Sequence, residues 1–339
     1  MTPRERVTRA LKFEHPDRAP RDLWSLPGIS MFRGQELREV LDKFPTDFAA
    51  PRYRYGKGRR RRGQEALVGE HVDAWGCLWH VAEPGVIGEV KGPPLAEWSA
   101  LEGYELPWEL LEEADLSEAN RSCAETDRFV RVGTEARPFE RMQFLRGTED
   151  LFIDLGYGTG EVYRLRGMLH EFFVREMEMW AKTDVDGVSF MDDWGSQGAL
   201  LISPDLWRSF YKPLYKDYCD ILHSAGKFVF FHSDGNIEAI YPDLIEMGVD
   251  AVNSQLFCMD IEGLAQRYRG KITFWGEIDR QNVLPFGTPD DVRAAVRRVR
   301  KALDDGRGGV IAQCEWGINN PRENIEAVFD EWNRALVQI

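Results

Sequence analysis

The sequence has no apolar run that approaches the roughly 20 residues needed to span a membrane. No signal-peptide pattern opens the chain, and the five cysteines form no CxxC pair. These absences argue against a membrane protein and a disulfide framework, and they favour the reducing cytoplasm. Basic residues are also outnumbered, with 43 Lys and Arg against 57 Asp and Glu. The net charge of −14 argues against general nucleic-acid binding by the surface.

What remains is a soluble globular composition, with 43% hydrophobic and 29% charged residues. From Asp127 onward, short apolar runs alternate with helical stretches, which predicts parallel strands joined by right-handed crossovers. Six strands are predicted there: Phe129–Thr134, Val185–Met191, the strand that begins at Phe228, Ala251–Asn253, Ile272–Trp275 and Val310–Ala312. Two more are predicted earlier, in Ala19–Trp24 and within Phe44–Tyr53.

Eight strands that alternate with helices favour a closed (β/α)8 TIM barrel. We expect one domain over residues 1–339, with an N-terminal helical extension. An excursion at about residues 57–107 is expected to contain a hairpin, because short β-rich pieces are broken there by Pro84 and Gly85. The run KGRRRR, Lys57–Arg62, is either an anion or partner contact or a solvated loop, and one short charge run favours the loop.

Polar side chains follow five of the predicted strands, where barrel active sites are built. They are Asp192 and Asp193, His232 and Asp234, Asn253 and Gln255, Glu277 and Asp279, and Cys314 and Glu315. If the strands are parallel, these groups face one cavity. Trp194, Trp275 and Trp316 lie near the same strand ends, where they either form an aromatic pocket or pack the core.

Imidazole, carboxylate and thiolate groups are zinc ligands, and catalytic zinc takes three of them. We therefore consider His232, Glu277 and Cys314 as candidate ligands. In the alternative, His232 is a satisfied core histidine, Cys314 packs as a small hydrophobe, Glu277 pairs with an arginine and no metal binds. Asp234 then caps the next helix.

The pair Asp192 and Asp193 is a candidate for general acid/base catalysis or substrate binding. The alternative is a helix-capping aspartate beside a salt-bridged one. Trp194, Gln197, Asn253 and Gln255 are the remaining candidates for contacts with a substrate.

Several long blocks resemble the uroporphyrinogen decarboxylase superfamily. They are TPRERVTRALKFEHPDRAPRDLW, FERMQFLRG, the stretch from DDWGSQGALLISPDLW through HSDGNIEAIYPDLIEMGVDAVNSQ, and GEIDRQNVLPFGTPDDV. The resemblance covers nearly the whole chain and implies a single barrel with an N-terminal extension. The true decarboxylases carry an Arg-Gln-Ala-Gly-Arg segment that holds the porphyrinogen carboxylates. This chain has Pro20–Ser25 at the corresponding place, so that activity is doubtful.

The resemblance instead favours the branch of cobalamin-dependent methyltransferases. In its coenzyme M members, zinc is held by a His-x-Cys pair and a later Cys. Here His232 and Cys314 match the outer positions and Asp234 replaces the middle Cys, which leaves Asp234 or Glu277 as the third ligand. Carboxylate ligands leave zinc more electrophilic and favour activation of oxygen, as in aryl-ether demethylation.

The resemblance implies zinc as cofactor, a corrinoid-binding protein as partner and a small-molecule methyl donor or acceptor, with a homodimer left open. The alternatives are a decarboxylase of haem biosynthesis and a non-catalytic member that binds a corrinoid or porphyrin.

Overall fold

The computed structural model describes residues 1–334. Its strands, in chain order, are β1 Arg21–Ser25, β2 Phe48–Ala49, β3 Gly69–Val72, β4 Leu78–Val81, β5 Glu89–Gly92, β6 Phe129–Gly133, β7 Gly187–Met191, β8 Phe228–Ser233, β9 Ala251–Ser254, β10 Thr273–Trp275 and β11 Val310–Trp316. Eight of them form one sheet in the order β1-β11-β10-β9-β8-β7-β6-β2, and every pair in it is parallel. The prediction of a TIM barrel, including its two early strands, is confirmed.

Most of the helices cover the outside of the sheet, whereas Val7 and Leu11 of the first helix pack against the residues inside the barrel. The helices are numbered in chain order. They are α1 Pro3–Leu11, α2 Pro27–Phe32, α3 Gly34–Lys43, α4 Glu109–Glu112, α5 Ala119–Ala124, α6 Pro138–Arg146, α7 Thr148–Tyr157, α8 Gly160–Ala181, α9 Pro204–Phe210, α10 Lys212–Ser224, α11 Tyr241–Met247, α12 Ile261–Tyr268, α13 Val283–Phe286, α14 Pro289–Leu303 and α15 Arg322–Trp332. Three short 3-10 helices, Trp98–Gly103, Glu238–Ile240 and Leu256–Cys258, complete the set for residues 1–334. None of these helices combines the length and the apolar character that a membrane crossing requires.

Several helix starts were readable from the sequence because their side chains satisfy backbone N–H groups of the first turn. Ser203 caps α9 by accepting from Leu206 N, and Thr288 and Asp291 form a capping box at α14. The last helix, α15, begins at Arg322 after the N-cap residue Pro321 and has no side-chain cap. A break at Tyr211 separates α9 from α10.

The pleat of the strands separates two apolar layers. Residues that point into the barrel form one cluster, which includes Phe129, Phe230, Trp275 and Ile311. The alternate positions, such as Val229 and Ala312, join the larger layer between sheet and helices. Side chains on both faces are buried, so the strands read as continuous apolar runs in the sequence.

Strands β1 and β2 lie at the two ends of the sheet order, and Asp47 connects them. Its backbone N–H donates to Arg21 O at 2.9 Å, and its carboxylate accepts from Arg21 N at 2.6 Å. The same carboxylate accepts from Arg6 Nη1 at 2.6 Å and from Arg18 Nη1 at 2.8 Å. Asp47 is 1% exposed, so two arginines and a backbone amide compensate a buried charge where the barrel closes.

The excursion contains three antiparallel strands, β3, β4 and β5, rather than a single hairpin. This small sheet packs on the barrel helices, where the ring centroids of Trp75 and Phe172 are 4.8 Å apart. The basic run lies at its edge. Arg59 pairs with Glu113 at 3.6 Å and Arg61 with Glu65 at 3.3 Å, both on the surface. Two of the five basic side chains of the run are thus paired with neighbouring acids, and the role of the run stays a prediction.

Glu176 on α8 is a buried carboxyl that makes stability depend on pH. It accepts from Tyr55 Oη at 2.5 Å and from Glu135 N at 2.9 Å, and burial raises its pKa to about 8. Its pKa in the unfolded chain is about 4.3. Between these values the folded protein keeps a proton that the unfolded chain has lost, so stability falls as pH rises through this window.

We predict that Glu176→Gln removes most of this fall. From pH 5 to pH 8 the free energy of unfolding of the variant should improve relative to the parent by about 2–4 kcal/mol. Urea unfolding at the two pH values measures this change. Glu178→Gln, at an exposed position of the same helix, is the control and should leave the pH dependence as it is. Parallel pH curves for parent and Glu176→Gln would contradict the prediction.

Candidate functional site

Three potential metal ligands meet at the carboxyl ends of β7 and β8. The carboxyl ends of the eight strands form the mouth of the barrel. Within residues 1–334 they are Asp193, His232 and Asp234, whose ligand atoms lie within 4.8 Å of one another. His232 Nε2 is 3.7 Å from Asp193 Oδ1 and 3.5 Å from Asp234 Oδ1. Two ligand atoms on one tetrahedral zinc ion are roughly 3.4 Å apart. The cluster therefore has the size of a divalent metal site before any rearrangement.

The other ring nitrogen of His232 fixes the orientation of the imidazole. His232 Nδ1 is 2.7 Å from Asn253 Oδ1, and Asn253 Nδ2 donates to Trp275 O at 2.5 Å and to Gln313 Oε1 at 3.1 Å. Because the amide nitrogen is committed to two acceptors, its oxygen must accept the proton of Nδ1. The lone pair of Nε2 then faces the two carboxylates, as it does in metal-bound histidines.

Asp234 carries a buried oxygen that nothing in residues 1–334 satisfies. Its Oδ2 pairs with Arg280 Nη2, while Oδ1, on the side of His232, has no hydrogen-bond partner. A buried carboxylate oxygen without a partner is costly unless a cation or donor reaches it. This oxygen, together with the free Nε2, fits a metal ion between them.

Two loops bring the carboxylates together. Asp193 Oδ1 accepts from Asp234 N at 2.9 Å, and Gly195 N donates to Asp234 O at 3.0 Å. Gly235 has φ +77°, and a Cβ there would overlap the carbonyl of Gly195. Only glycine allows both this conformation and the contact. The glycines of the DDWG and HSDG segments therefore serve the approach of the two loops.

Arg280 binds the acidic groups around the cluster. Besides Asp234, it donates to Glu315 Oε1 at 2.8 Å, and its Nε lies 3.9 Å from Glu277 Oε1. Glu277 is 3% exposed, and burial raises its pKa well above the usual value. Glu277 thus lies next to an arginine and outside the three-residue cluster. The alternative in which no metal binds expects this pairing with an arginine.

Cys314 does not face the mouth, which corrects the predicted ligand set. It belongs to the same layer as Ala312 and Trp316, between β11 and the helices, whereas Ile311 points into the barrel. It is 0% exposed, and burial raises the pKa of its thiol. Cys314 lies near the carboxyl end of β11, but the pleat of this strand directs its Sγ away from His232.

Asp192 and Trp194 are also turned outward, so neither is placed for the predicted contact with a substrate. Asp192 accepts from Phe139 N and Glu140 N, each at 2.7 Å, and holds the start of α6. Trp194 is fully buried and stacks on Phe139 at 4.1 Å. Asp193, the second acid of the pair, is the one at the mouth.

The remaining predicted residues lie in different surroundings. Gln197 is exposed on the loop after β7, and Asp279 accepts from Gln281 N and Asn282 N in its own loop. Gln255 is buried just after β9. Asn253 Oδ1 binds His232 Nδ1. The contact of Asn253 with a substrate stays a prediction.

Sequence reasoning missed Glu140, which comes from α6. Arg137 Nη1 lies 3.8 Å from its Oε2, and Asp193 and His232 are among the charges that act on it. Burial raises the pKa of Glu140 to about 7, so a large fraction carries a proton at neutral pH. Its signal in the sequence is the block FERMQFLRG, in which it is the only acid.

Comparisons with known proteins identify the family. The chain resembles a solved methyltransferase from Methanosarcina mazei, with 17% identity, a TM-score of 0.72 and 98% of each chain covered. A xylanase from Gloeophyllum trabeum shares 11% identity, with a TM-score of 0.48 and coverage of 95% and 98%. No curated protein sequence matches. The sequence profile of uroporphyrinogen decarboxylase (URO-D) matches residues 90–335, and the chain belongs to this family.

Proposed function

We propose that the chain is a zinc-dependent methyltransferase that moves a methyl group between a small methylated substrate and a corrinoid carried by a partner protein. The observation that supports it is the cluster of His232 Nε2, Asp193 Oδ1 and Asp234 Oδ1, with the unsatisfied oxygen of Asp234 facing the imidazole. The fold is shared with a solved methyltransferase, which agrees with this activity.

The revised ligand set is one imidazole and two carboxylates, with Cys314 outside it. Three protein ligands leave one position of a tetrahedral zinc for the substrate, and zinc bound there would act as a Lewis acid toward the substrate oxygen or sulfur. Carboxylate ligands favour an oxygen substrate, such as an aryl methyl ether, over a thiol. Asn253 holds the imidazole, and Arg280 keeps Asp234 in place.

Glu140 is the proposed proton donor. When the methyl–oxygen bond breaks, its electron pair stays on the oxygen, and the methyl group goes to the corrinoid of the partner. The oxygen then takes a proton, and the buried carboxyl of Glu140, beside Arg137, is the proposed source. Asp192 holds the first turn of α6 and so positions Glu140 without contacting the substrate.

Decarboxylation of a tetrapyrrole has less support. Arg21, the arginine in the segment that aligns with the missing clamp, starts β1 and so lies at the opposite end of the barrel from the mouth. Its Nη2 donates to Asn333 Oδ1 at 2.5 Å.

Zinc titration by calorimetry tests the proposal. We expect one zinc ion per chain, and Asp234→Asn should lower the affinity by at least about tenfold, since it removes a charged ligand. Asp205→Asn is the control, because Asp205 is 97% exposed and pairs with Arg208 of its own helix. Methyl transfer from an aryl methyl ether to a corrinoid protein should fall in parallel. A chain that binds no zinc, or that loses none of its affinity in Asp234→Asn, would refute the proposed site.

A further inference from the structure

A cavity lies beside the mouth, between the small sheet β3–β5 and the loop that joins β6 to α6. It encloses about 310 Å³, within the range of small-molecule sites. Its wall includes His71, Trp75, Trp79, Arg137, Arg141 and Phe144. None of these residues came from the strand ends that the sequence singled out, and the proposed methyl transfer does not use them.

The wall is rich in flat rings. The centroids of Trp79 and Phe144 are 4.9 Å apart at 64°, and His71 is stacked parallel to Trp79 at 6.1 Å. The guanidinium of Arg141 lies 4.3 Å from the ring centroid of Trp75. Such surfaces favour a flat, polarisable ligand over an aliphatic one of equal size.

The carboxylates of the wall are all engaged by the protein itself. Arg141 is 3.3 Å from both Asp73 and Glu135, and Glu65 is 3.3 Å from Arg61. Asp73 also accepts from Trp79 Nε1 at 3.0 Å. These contacts leave the wall without an acidic group that needs a ligand.

Arg137 is different. Its side chain is 28% exposed, and its guanidinium donates no hydrogen bond within residues 1–334. Its nearest acid, Glu140, is 3.8 Å away, beyond hydrogen-bond range. Buried nitrogens of Trp75, Arg137 and Arg141 also lack acceptors among the described residues, so the wall has more donors than acceptors. A guanidinium in this state is a ready partner for a carboxylate.

The same arginine connects this cavity to the metal-ligand cluster. Arg137 lies next to Glu140, whose carboxyl is in turn close enough to Asp193 and His232 for their charges to act on it. A ligand that reaches Arg137 from the cavity therefore lies near the proposed proton donor.

We propose that this cavity binds a planar aromatic ligand that carries an anionic group, with the ring among Trp75, Trp79 and Phe144 and the anion on Arg137. This inference stands apart from the proposed function, because the anion on Arg137 would be the part of the ligand nearest to Glu140 and the metal-ligand cluster.

Calorimetric titration with three probes tests the inference on the full chain. 4-Methoxybenzoate has the ring and the charge, anisole only the ring, and cyclohexanecarboxylate only the charge. We expect 4-methoxybenzoate to bind at least about tenfold more tightly than the other two, because each of them lacks one of the paired contacts.

Variants of Arg137 test whether this residue binds the anionic group of the ligand. Arg137→Gln should weaken 4-methoxybenzoate at least about tenfold, and Arg137→Lys, which keeps the charge but not the fork, should recover part of the affinity. Arg175→Gln is the control, since Arg175 lies over the indole ring of Trp108 on the outer face of α8 and does not line the cavity. It should leave binding unchanged.

Equal affinity for the three probes, no binding at all, or unchanged binding in Arg137→Gln would overturn the inference. Zinc titration of the same samples separates it from the proposed function. A protein that binds zinc but not the aromatic acid overturns only the assignment of the cavity. A protein that binds the acid but no zinc upholds the cavity and refutes the methyl-transfer site.

Discussion

Replacing His232 with alanine is expected to lower zinc affinity by roughly a hundredfold or more and to abolish methyl transfer. The imidazole is the only nitrogen ligand of the cluster, and its removal leaves Asp193 and Asp234 without the group that completes the set. The two carboxylates would then repel each other across the gap. Calorimetric zinc titration and single-turnover methyl transfer measure the two effects.

Two further variants sharpen this experiment. Asn253→Leu keeps the imidazole but removes its partner at Nδ1, so zinc affinity should fall by about 10–100-fold, less than in His232→Ala. His80→Ala, at an exposed position of β4, should retain the affinity of the parent. Circular dichroism confirms that each variant is folded. Tight zinc binding in His232→Ala would mean that the metal, if any, lies elsewhere.

Replacing Asp47 with alanine is expected to destabilise the fold by about 3–5 kcal/mol, since it leaves buried cations uncompensated. Arg6 is only 8% exposed and would lose the partner of its Nη1, although Asp17 still binds its other nitrogens. Arg21 N would lose its acceptor, at the point where β1 meets β2. Urea unfolding gives the change in the free energy of unfolding.

Asp290→Ala is the control for this comparison. Asp290 is 92% exposed and pairs with Arg293 at 2.8 Å, and a surface pair of this kind contributes at most about 1 kcal/mol. A loss of less than 1 kcal/mol in Asp47→Ala would show that the seam of the barrel is held by something other than this carboxylate.

The order of strands and helices could be predicted because each signal is local. Apolar runs mark the strands, capping residues such as Ser203 and Thr288 mark helix starts, and parallel order follows from alternation. The first strand of the small sheet, Gly69–Val72, was missed because it is short, with only Val72 as a β-branched residue.

The sequence predicted the location of the candidate site, but not which residues belong to it. When both faces of a strand are buried, periodicity does not tell which residues point inward. His232 and Cys314 look alike in this respect, yet the pleat directs the first into the barrel and the second toward the helices. The same uncertainty of one position left open which of Asp192 and Asp193 faces the mouth.

Glu140 and Arg137 could not be placed from local pattern at all. They lie on α6 and before it, far in sequence from His232, and only the closure of the barrel brings them to the mouth. A charged residue in the first turn of a helix usually interacts with the backbone N–H groups of that turn. In α6, the anion that accepts from these N–H groups is Asp192, which follows β7.

The backbone contact between Gly195 and Gly235 couples the positions of two candidate metal ligands, Asp193 and Asp234. Asp193 and Asp234 stand on segments that touch without side chains between them, and Asp234 N donates to Asp193 Oδ1. A movement of one segment away from the other would break this hydrogen bond. A ligand that binds both acids would therefore hold the two segments together, and a rearrangement that separates them would weaken the binding of that ligand by the same free energy.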